Sequence, residues 1–161
     1  APSPRRDGPL PVNLSPDVAE LVKSEAAAFG ARAQNPAARE ALRQLEEAAA
    51  AGQVPDPLLP VLGQVLEVSL ASGRIRARYG VREEQALGEI FRRTPPGRAL
   101  QAQVSDVNGV LATLAGQTLA DIRLAAAGPG SYRLLIEAGG RRLVITLGPG
   151  GAGVQSLEIA L

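Results

Sequence analysis

The sequence contains no cysteine and no histidine among its 161 residues. Without cysteine the chain has no disulfide, zinc-thiolate site, iron–sulfur cluster or cysteine nucleophile. Without histidine it has no serine triad, no imidazole acid–base chemistry and few options for binding a transition metal. Carboxylates, hydroxyls, two tyrosines and one lysine, Lys23, remain for chemistry. We therefore expect a protein that is not an enzyme and that holds no metal and no cofactor.

Aromatic residues and net charge are also scarce. Aromatics make up 2% of the chain, so the core must be aliphatic and there is no platform on which bases or sugars stack. A net charge of +1 gives no strong attraction to nucleic acid. No apolar run approaches the roughly 20 residues that span a bilayer. We expect a soluble domain, cytoplasmic rather than exported, for which nucleic acid is not the main partner.

The composition nevertheless supports a packed interior, because 45% of the residues are hydrophobic. Residues 1–13 hold four prolines and two adjacent arginines, which is typical of an extended leader or linker. Residues 14–94 are predicted to be helical. Residues 95–161 are predicted to form a long helix followed by a sheet, sharing one core with the helical region.

Proline and glycine divide the chain into about five predicted helices. Three starts repeat one pattern, a capping side chain followed by proline, at Ser15-Pro16, Asn35-Pro36 and Asp56-Pro57. We expect the third helix to continue through Gly73 and to end at Gly80, although glycine inside a helix costs about 1 kcal/mol. A fourth helix is predicted from Arg82 to Arg93.

The fifth helix follows Thr94-Pro95-Pro96 and carries the most regular apolar stripe. Its members alternate in steps of four and three residues: Leu100, Val104, Val107, Leu111 and Leu114. This spacing occurs in coiled coils, and it occurs equally in a helix that packs on its own sheet. We favour packing on the sheet, because the stripe is too short for a confident coiled coil.

From Leu119 onward the apolar period changes to two, which is typical of β-strands. Turns are predicted at Gly128-Pro129-Gly130, at Gly139-Gly140 and in the glycine-rich loop that begins at Gly148. The last strand carries Leu157, Ile159 and Leu161. The predicted fold is therefore α+β, with N-terminal helices and a four-stranded antiparallel meander packed against the long fifth helix.

One face of this predicted sheet mixes apolar and polar residues. Leu135 and Val144 alternate onto the face that also carries Arg133, Glu137 and Arg142. A sheet with one solvated face usually shows cleaner alternation. Either the N-terminal helices cover part of this face, or another protein binds there.

Arginines concentrate in the middle of the chain and are the other candidate binding residues. They are Arg74, Arg76, Arg78, Arg82, Arg92 and Arg93, with Arg98 nearby. Arginine binds phosphate or carboxylate through two parallel hydrogen bonds. Glu83, Glu84 and Glu89 lie close in sequence, so a salt-bridged surface is the simplest interpretation. Recognition of an acidic protein or of nucleic acid remains an alternative.

The remaining motifs indicate no chemistry. The loop at Gly148 lacks the Gly-Lys-Ser/Thr ending of a phosphate-binding loop and precedes a strand rather than a helix. Asp106 and Asp121 alternate toward solvent, so no pair of acids is predicted to converge. We therefore expect a non-enzymatic interaction or oligomerisation module that binds another protein or a second copy of itself. The alternative is a binder of anionic ligands or nucleic acid through the arginines.

Overall fold

The computed structural model describes residues 10–159, and its order of elements is α+β as predicted. Six α-helices come first: α1 (Pro16–Gly30), α2 (Pro36–Ala50), α3 (Leu59–Ala71), α4 (Arg74–Tyr79), α5 (Val81–Phe91) and α6 (Pro95–Ala112). Four strands follow: β3 (Leu119–Gly128), β4 (Ser131–Ala138), β5 (Arg141–Gly148) and β6 (Gly151–Ile159). Two further strands, β1 (Val12–Asn13) and β2 (Gln53–Val54), pair within the helical part.

The chain divides into two compact units, Ala1–Arg98 and Ala99–Leu161, with the division inside α6. We call them the helical unit and the sheet unit. Each has its own cluster of buried apolar side chains. The expectation that the helical region and the sheet share one core stays a prediction.

The helical unit is built around aliphatic side chains from α1 to α5. Its most buried members are Val22, Leu45, Leu62, Leu66, Ile75 and Leu87. Close approach between its elements also depends on glycine. A Cβ on Gly63 would lie 2.6 Å from Cγ of Pro96, so α3 has no room there for a side chain.

Two of the predicted helix starts are capped by side chains. Asn35 Oδ1 accepts a hydrogen bond from the amide of Ala37 at 2.9 Å, and Thr94 Oγ1 accepts one from the amide of Gly97 at 3.4 Å. Ser15 precedes α1 but makes no such bond. Asp56-Pro57 opens a 3₁₀ turn, Asp56–Leu58, and α3 itself begins at Leu59.

The prediction that the third helix continues to Gly80 is wrong. The helix α3 ends at Ala71, and Gly73 adopts a φ of +69° that breaks it. The short helix α4 then runs to Tyr79, and Gly80, with a φ of +108°, separates it from α5. The break has a physical reason, because it places Ile75 in the core and lets Arg74 reach the buried Glu25.

The last two residues of the predicted leader, residues 1–13, are part of the fold. Val12 and Asn13 form β1, which pairs with β2, and Val12 is buried. Residues 1–9 of the predicted leader and Leu161 of the last predicted strand lie outside the described residues.

The sheet is an antiparallel meander whose spatial order, β3-β4-β5-β6, follows the chain. Ala138 pairs with Arg141, so Gly139 and Gly140 make the predicted two-residue turn, both with positive φ. Gly148 pairs with Gly151, which leaves Pro149 and Gly150 as the last turn.

The second half of α6 packs on the middle of this sheet. Val107 forms one buried cluster with Ile136 of β4 and with Leu143 and Ile145 of β5. Leu111 and Leu114, from the same predicted stripe, are partly buried against it. This is the packing of helix on sheet that the sequence predicts, and we call the face of the sheet that carries α6 the helix side.

Candidate functional site

The helix side of the sheet extends well beyond the residues that α6 covers. The strand register places eight exposed apolar residues on the same face as Leu143 and Ile145. They are Leu119, Ile122, Leu124, Tyr132, Leu147, Val154, Leu157 and Ile159. Two more, Leu100 and Val104, are exposed on α6 itself. We call these ten residues the apolar face.

Strand β3 is the least covered part of this face. Nine of its ten residues are exposed, and the tenth is Asp121. The exposed fraction is 54% for Leu119, 54% for Ile122 and 63% for Leu124. We call these three residues the β3 flank.

The strands are buried to different extents because of the position of α6 on the sheet. Its partners in the buried cluster come from β4, β5 and, through Ala152, β6, and none of the described residues of β3 belongs to that cluster. Gly151 of β6 also lies against α6, because a Cβ there would come within 3.2 Å of Leu100. The helix therefore covers the middle of the sheet and leaves β3 open, while Leu157 and Ile159 of β6 also stay 44% and 72% exposed.

The apolar face is large for a surface that meets only water. Its ten residues expose roughly 1,000 Å² in total, taking about 200 Å² for each large apolar residue and applying the exposed fractions. The largest apolar patch on a typical monomer is about 300–600 Å². The ten residues lie on both sides of α6, and their summed area exceeds that of one such patch, which is characteristic of a surface that binds another macromolecule.

Charge is distributed very unevenly between the two faces of the sheet. Six of the seven charged residues in β3 to β6 lie on the face opposite α6: Asp121, Arg123, Arg133, Glu137, Arg142 and Glu158. The seventh, Arg141, lies at one end of the helix side and donates to the carbonyl of Thr113 at 3.3 Å. The helix side of the strands is otherwise uncharged.

Leu135 and Val144, predicted as binding residues, lie on the charged face. They pair with each other across β4 and β5 and are half-buried. Ion pairs lie on the same face, with Arg142 Nε 3.0 Å from Glu137 Oε1 and Arg123 Nε 2.6 Å from Asp121 Oδ2. The role predicted for Leu135 and Val144 stays a prediction, while the larger exposed apolar area lies on the other face.

Arg74, the first of the predicted anion-binding arginines, is part of the interior of the helical unit. Its guanidinium pairs with Glu25 Oε2, which also accepts a hydrogen bond from Ser69 Oγ at 2.7 Å. The same guanidinium lies 5.6 Å from the centroid of the Phe29 ring. Glu25 and Ser69 are fully buried, so Arg74 joins α4 to α1 and α3.

The other predicted arginines do not form one row along a helix. Arg78 lies in α4 with its guanidinium 5.1 Å from the centroid of the Tyr79 ring, whereas Arg82 lies beyond the break at Gly80, in α5. Arg76 and Arg92 pair with carboxylates of α5: Arg76 lies 2.7 Å from Glu84, and Arg92 lies 3.8 Å from Glu89.

Arg82 and Arg93 are exposed. Because Arg74, Arg76 and Arg92 already bind carboxylates, the field that these arginines present to a ligand is reduced.

The part of the chain that the structure describes holds no cluster of acidic residues able to bind a metal ion. Within the same residues, no helix has the length and apolar character needed to cross a bilayer. Asp106 and Asp121 lie on different elements, one on α6 and one on the charged face of the sheet.

The apolar face does not follow from the sequence analysis, although a signal is present. Ile122 and Leu124 alternate with Asp121 and Arg123, and this is the pattern that core positions of a strand also show. One helix is about 10 Å wide and four strands are about 19 Å wide, so a single helix cannot cover them all.

Comparison of the chain with models of protein families, with curated proteins and with solved structures finds no significant match.

Proposed function

We propose that this chain is a non-enzymatic protein-interaction module that binds through the apolar face of its sheet unit. The observation that carries the proposal is the roughly 1,000 Å² of exposed apolar surface on one side of that unit. Burial of such a surface is favourable by about 25 cal/mol per Å², and a partner protein provides the burial.

The difference in charge between the two faces of the sheet supports this function. A face that is simply solvated carries charges, as the opposite face of the same sheet does. Depletion of charge at the centre is the compositional mark of an interface core. Between Ala99 and Ala112, α6 carries one charged residue, Asp106, so the helix extends the uncharged surface instead of interrupting it.

A charge placed in the β3 flank tests the function. We expect Leu124→Glu to release the chain from its native assembly, because a carboxylate would be buried without a partner. The matched control is Ala125→Glu, one residue along β3 on the charged face and opposite Arg133. The measurement is the size of the particle that carries each variant in an extract of the source cells, by size exclusion.

The proposal expects wild type and Ala125→Glu to elute well above the mass of one chain, 16.6 kDa, and Leu124→Glu to elute near it. Elution of the wild-type chain as a free monomer in the extract contradicts it.

Binding of an anionic ligand or nucleic acid is the second function that the sequence suggests, and the geometry supports it less well. Exposed arginines such as Arg82 and Arg93 favour it, and the ion pairs of Arg74, Arg76 and Arg92 weaken it. Titration of a fluorescent DNA oligonucleotide at low salt tests it. Binding that falls steeply with salt and is lost in Arg82→Ala/Arg93→Ala is the outcome that this function requires.

A further inference from the structure

We infer that the partner of the apolar face is a second copy of this chain. In the proposed dimer, α6 of each copy packs on the β3 flank of the other. This inference rests on the proposed function of the apolar face and names its occupant.

The uncovered strip has the width of one helix. Four strands about 4.8 Å apart make a sheet about 19 Å wide, and a helix with its side chains is about 10 Å across. The helix α6 lies over the middle of the sheet, so on one side of it a strip along β3 stays uncovered, which holds Leu119, Ile122 and Leu124. On the other side Leu157 and Ile159 of β6 are also exposed. A single additional helix fills such a strip.

The exposed side of α6 suits it to be that helix. Leu100 and Val104 are 40% and 45% exposed and lie on the stripe that also carries Val107, on the side of α6 toward the sheet. The outward side of α6 carries Ala99, Ala102, Ser105 and Gly109, all of them exposed, together with Asp106. Small residues let a second layer approach closely. Each copy thus carries both an uncovered strip and a helix suited to cover one.

The absence of charge favours a second copy over an unrelated partner. Interfaces between different proteins are about as polar as the rest of the surface, whereas homodimer interfaces are more apolar, at about 65%. A two-fold axis brings identical surfaces together, so like charges near it face each other. The apolar face carries none, and Asp106 is the one charged residue of α6 from Ala99 to Ala112.

The area is sufficient for a stable pair. A standard specific interface buries about 800 Å² on each partner. The apolar face exposes roughly 1,000 Å² on each copy before any polar rim is counted. The β3 flank, Leu100 and Val104 supply about half of this area, and Tyr132 with the apolar residues of β5 and β6 supplies the rest.

The solution mass of the purified full chain is the first test. We expect wild type and Ala125→Glu to sediment at twice 16.6 kDa, and Leu124→Glu to sediment at 16.6 kDa with an unchanged circular dichroism spectrum. A wild-type chain that stays monomeric up to about 100 μM overturns the inference, because a specific interface of this size should be tighter than that. Leu124→Glu as dimeric as Ala125→Glu overturns it as well.

Cross-linking between copies tests the packing without a destabilising charge. Because the sequence has no cysteine, single-cysteine variants react only at the introduced thiol. A tagged Val104→Cys chain is mixed with an untagged Leu124→Cys chain and treated with a short bismaleimide. The control mixture replaces Leu124→Cys by Ala125→Cys, which is also exposed but lies on the opposite face.

We expect a mixed cross-linked dimer at least fivefold more abundant with Leu124→Cys than with Ala125→Cys. Equal yields overturn the proposed packing. Failure of the second-copy inference is distinguishable from failure of the proposed function. If the purified chain is a monomer but still joins a larger assembly in extracts through Leu124, the proposed function stands and the second-copy inference fails. If the chain is a monomer in both conditions, both proposals fail.

Discussion

Glu25 is the most unusual single residue of the helical unit. It is a fully buried carboxylate that accepts hydrogen bonds from Ser69 and Arg74, while its second oxygen, Oε1, has no partner among the described residues. Buried ion pairs add little net stability, but breaking one leaves a charge without its partner. Arg74 is still 32% exposed in its side chain, so solvent recovers part of that loss.

We therefore expect Glu25→Ala to lower the free energy of unfolding by about 3 kcal/mol, the lower end for a broken buried pair. The matched control is Glu20→Ala on the same helix, where the carboxylate is exposed and lies 3.7 Å from Lys23. That change should cost less than about 1 kcal/mol, as exposed pairs do. Urea unfolding followed by circular dichroism measures both. Equal costs would mean that Glu25 does not hold α4 in place.

Glu40 on α2 gives a prediction that depends on pH. Hydrogen bonds from Arg43, and then from Gln44, lower the pKa of Glu40 from 4.5 to about 2. Because the folded pKa is the lower one, the stabilisation is present above pH 4.5 and is lost as the pH falls toward 2. We expect the carboxyl carbon signal of Glu40 to titrate near pH 2 in NMR. In Arg43→Gln the midpoint should rise toward the ordinary value, and an unchanged midpoint would contradict the assignment.

Among the elements, the start of α6 is the most tightly constrained. Thr94 is buried and its hydroxyl donates to the carbonyl of Phe91 at 2.6 Å while capping Gly97. A Cβ on Gly97 would lie 1.9 Å from that same carbonyl oxygen. The end of α5 and the first turn of α6 therefore fit together only if residue 97 has no side chain.

We expect Gly97→Ala to destabilise the chain by at least about 2 kcal/mol, since the backbone must move to admit the methyl group. Gly88→Ala in α5 is the control, because nothing lies within 4 Å of its Cβ position. That substitution should raise stability by up to about 1 kcal/mol through helix propensity. Thermal unfolding of the two variants gives the comparison, and a harmless Gly97→Ala would rule out the close packing.

Most element boundaries were predictable, because proline, glycine and apolar period are local signals. The starts at Pro16, Pro36 and Pro95 and the turn at Gly139-Gly140 all follow from them. The break at Gly73 did not, since a glycine penalty of about 1 kcal/mol does not decide between a helix and a kink. Tertiary contacts favour the break over a continuous helix, namely the burial of Ile75 and the pairing of Arg74 with Glu25. Strands of two residues, such as β1, are too short for any period to show.

The candidate site was less predictable than the fold. Sequence alternation shows which strand residues share a face, and this placed Ile122, Leu143 and Leu157 together. It does not show which of them a helix covers, because cover depends on where α6 crosses the sheet. The structure supplies that position, with Val107 over β4 and β5. The exposure of the β3 flank is therefore determined by the position of α6 on the sheet and cannot be read from the alternation of residues in the sequence.

For the whole molecule, the separation of charge between the two sides of the sheet unit sets how association responds to salt. An interface made by the apolar face brings few charged groups together, so salt has few electrostatic interactions to screen. We expect the dimer dissociation constant to change less than about threefold between about 0.05 M and 0.5 M sodium chloride. Sedimentation equilibrium measures it. Binding through the arginines would instead weaken by orders of magnitude over a similar range, and such a loss would favour that alternative.

The order of the strands has a consequence for how such an assembly comes together. Every pairing in β3-β4-β5-β6 joins neighbours along the chain through a tight turn, so each closes only a short loop. Sheets with such local pairings fold quickly compared with those that join distant segments. The sheet unit should fold before two copies associate, so we expect association between chains that are already folded. Refolding should show a fast phase independent of protein concentration, followed by a slower one whose rate rises in proportion to it.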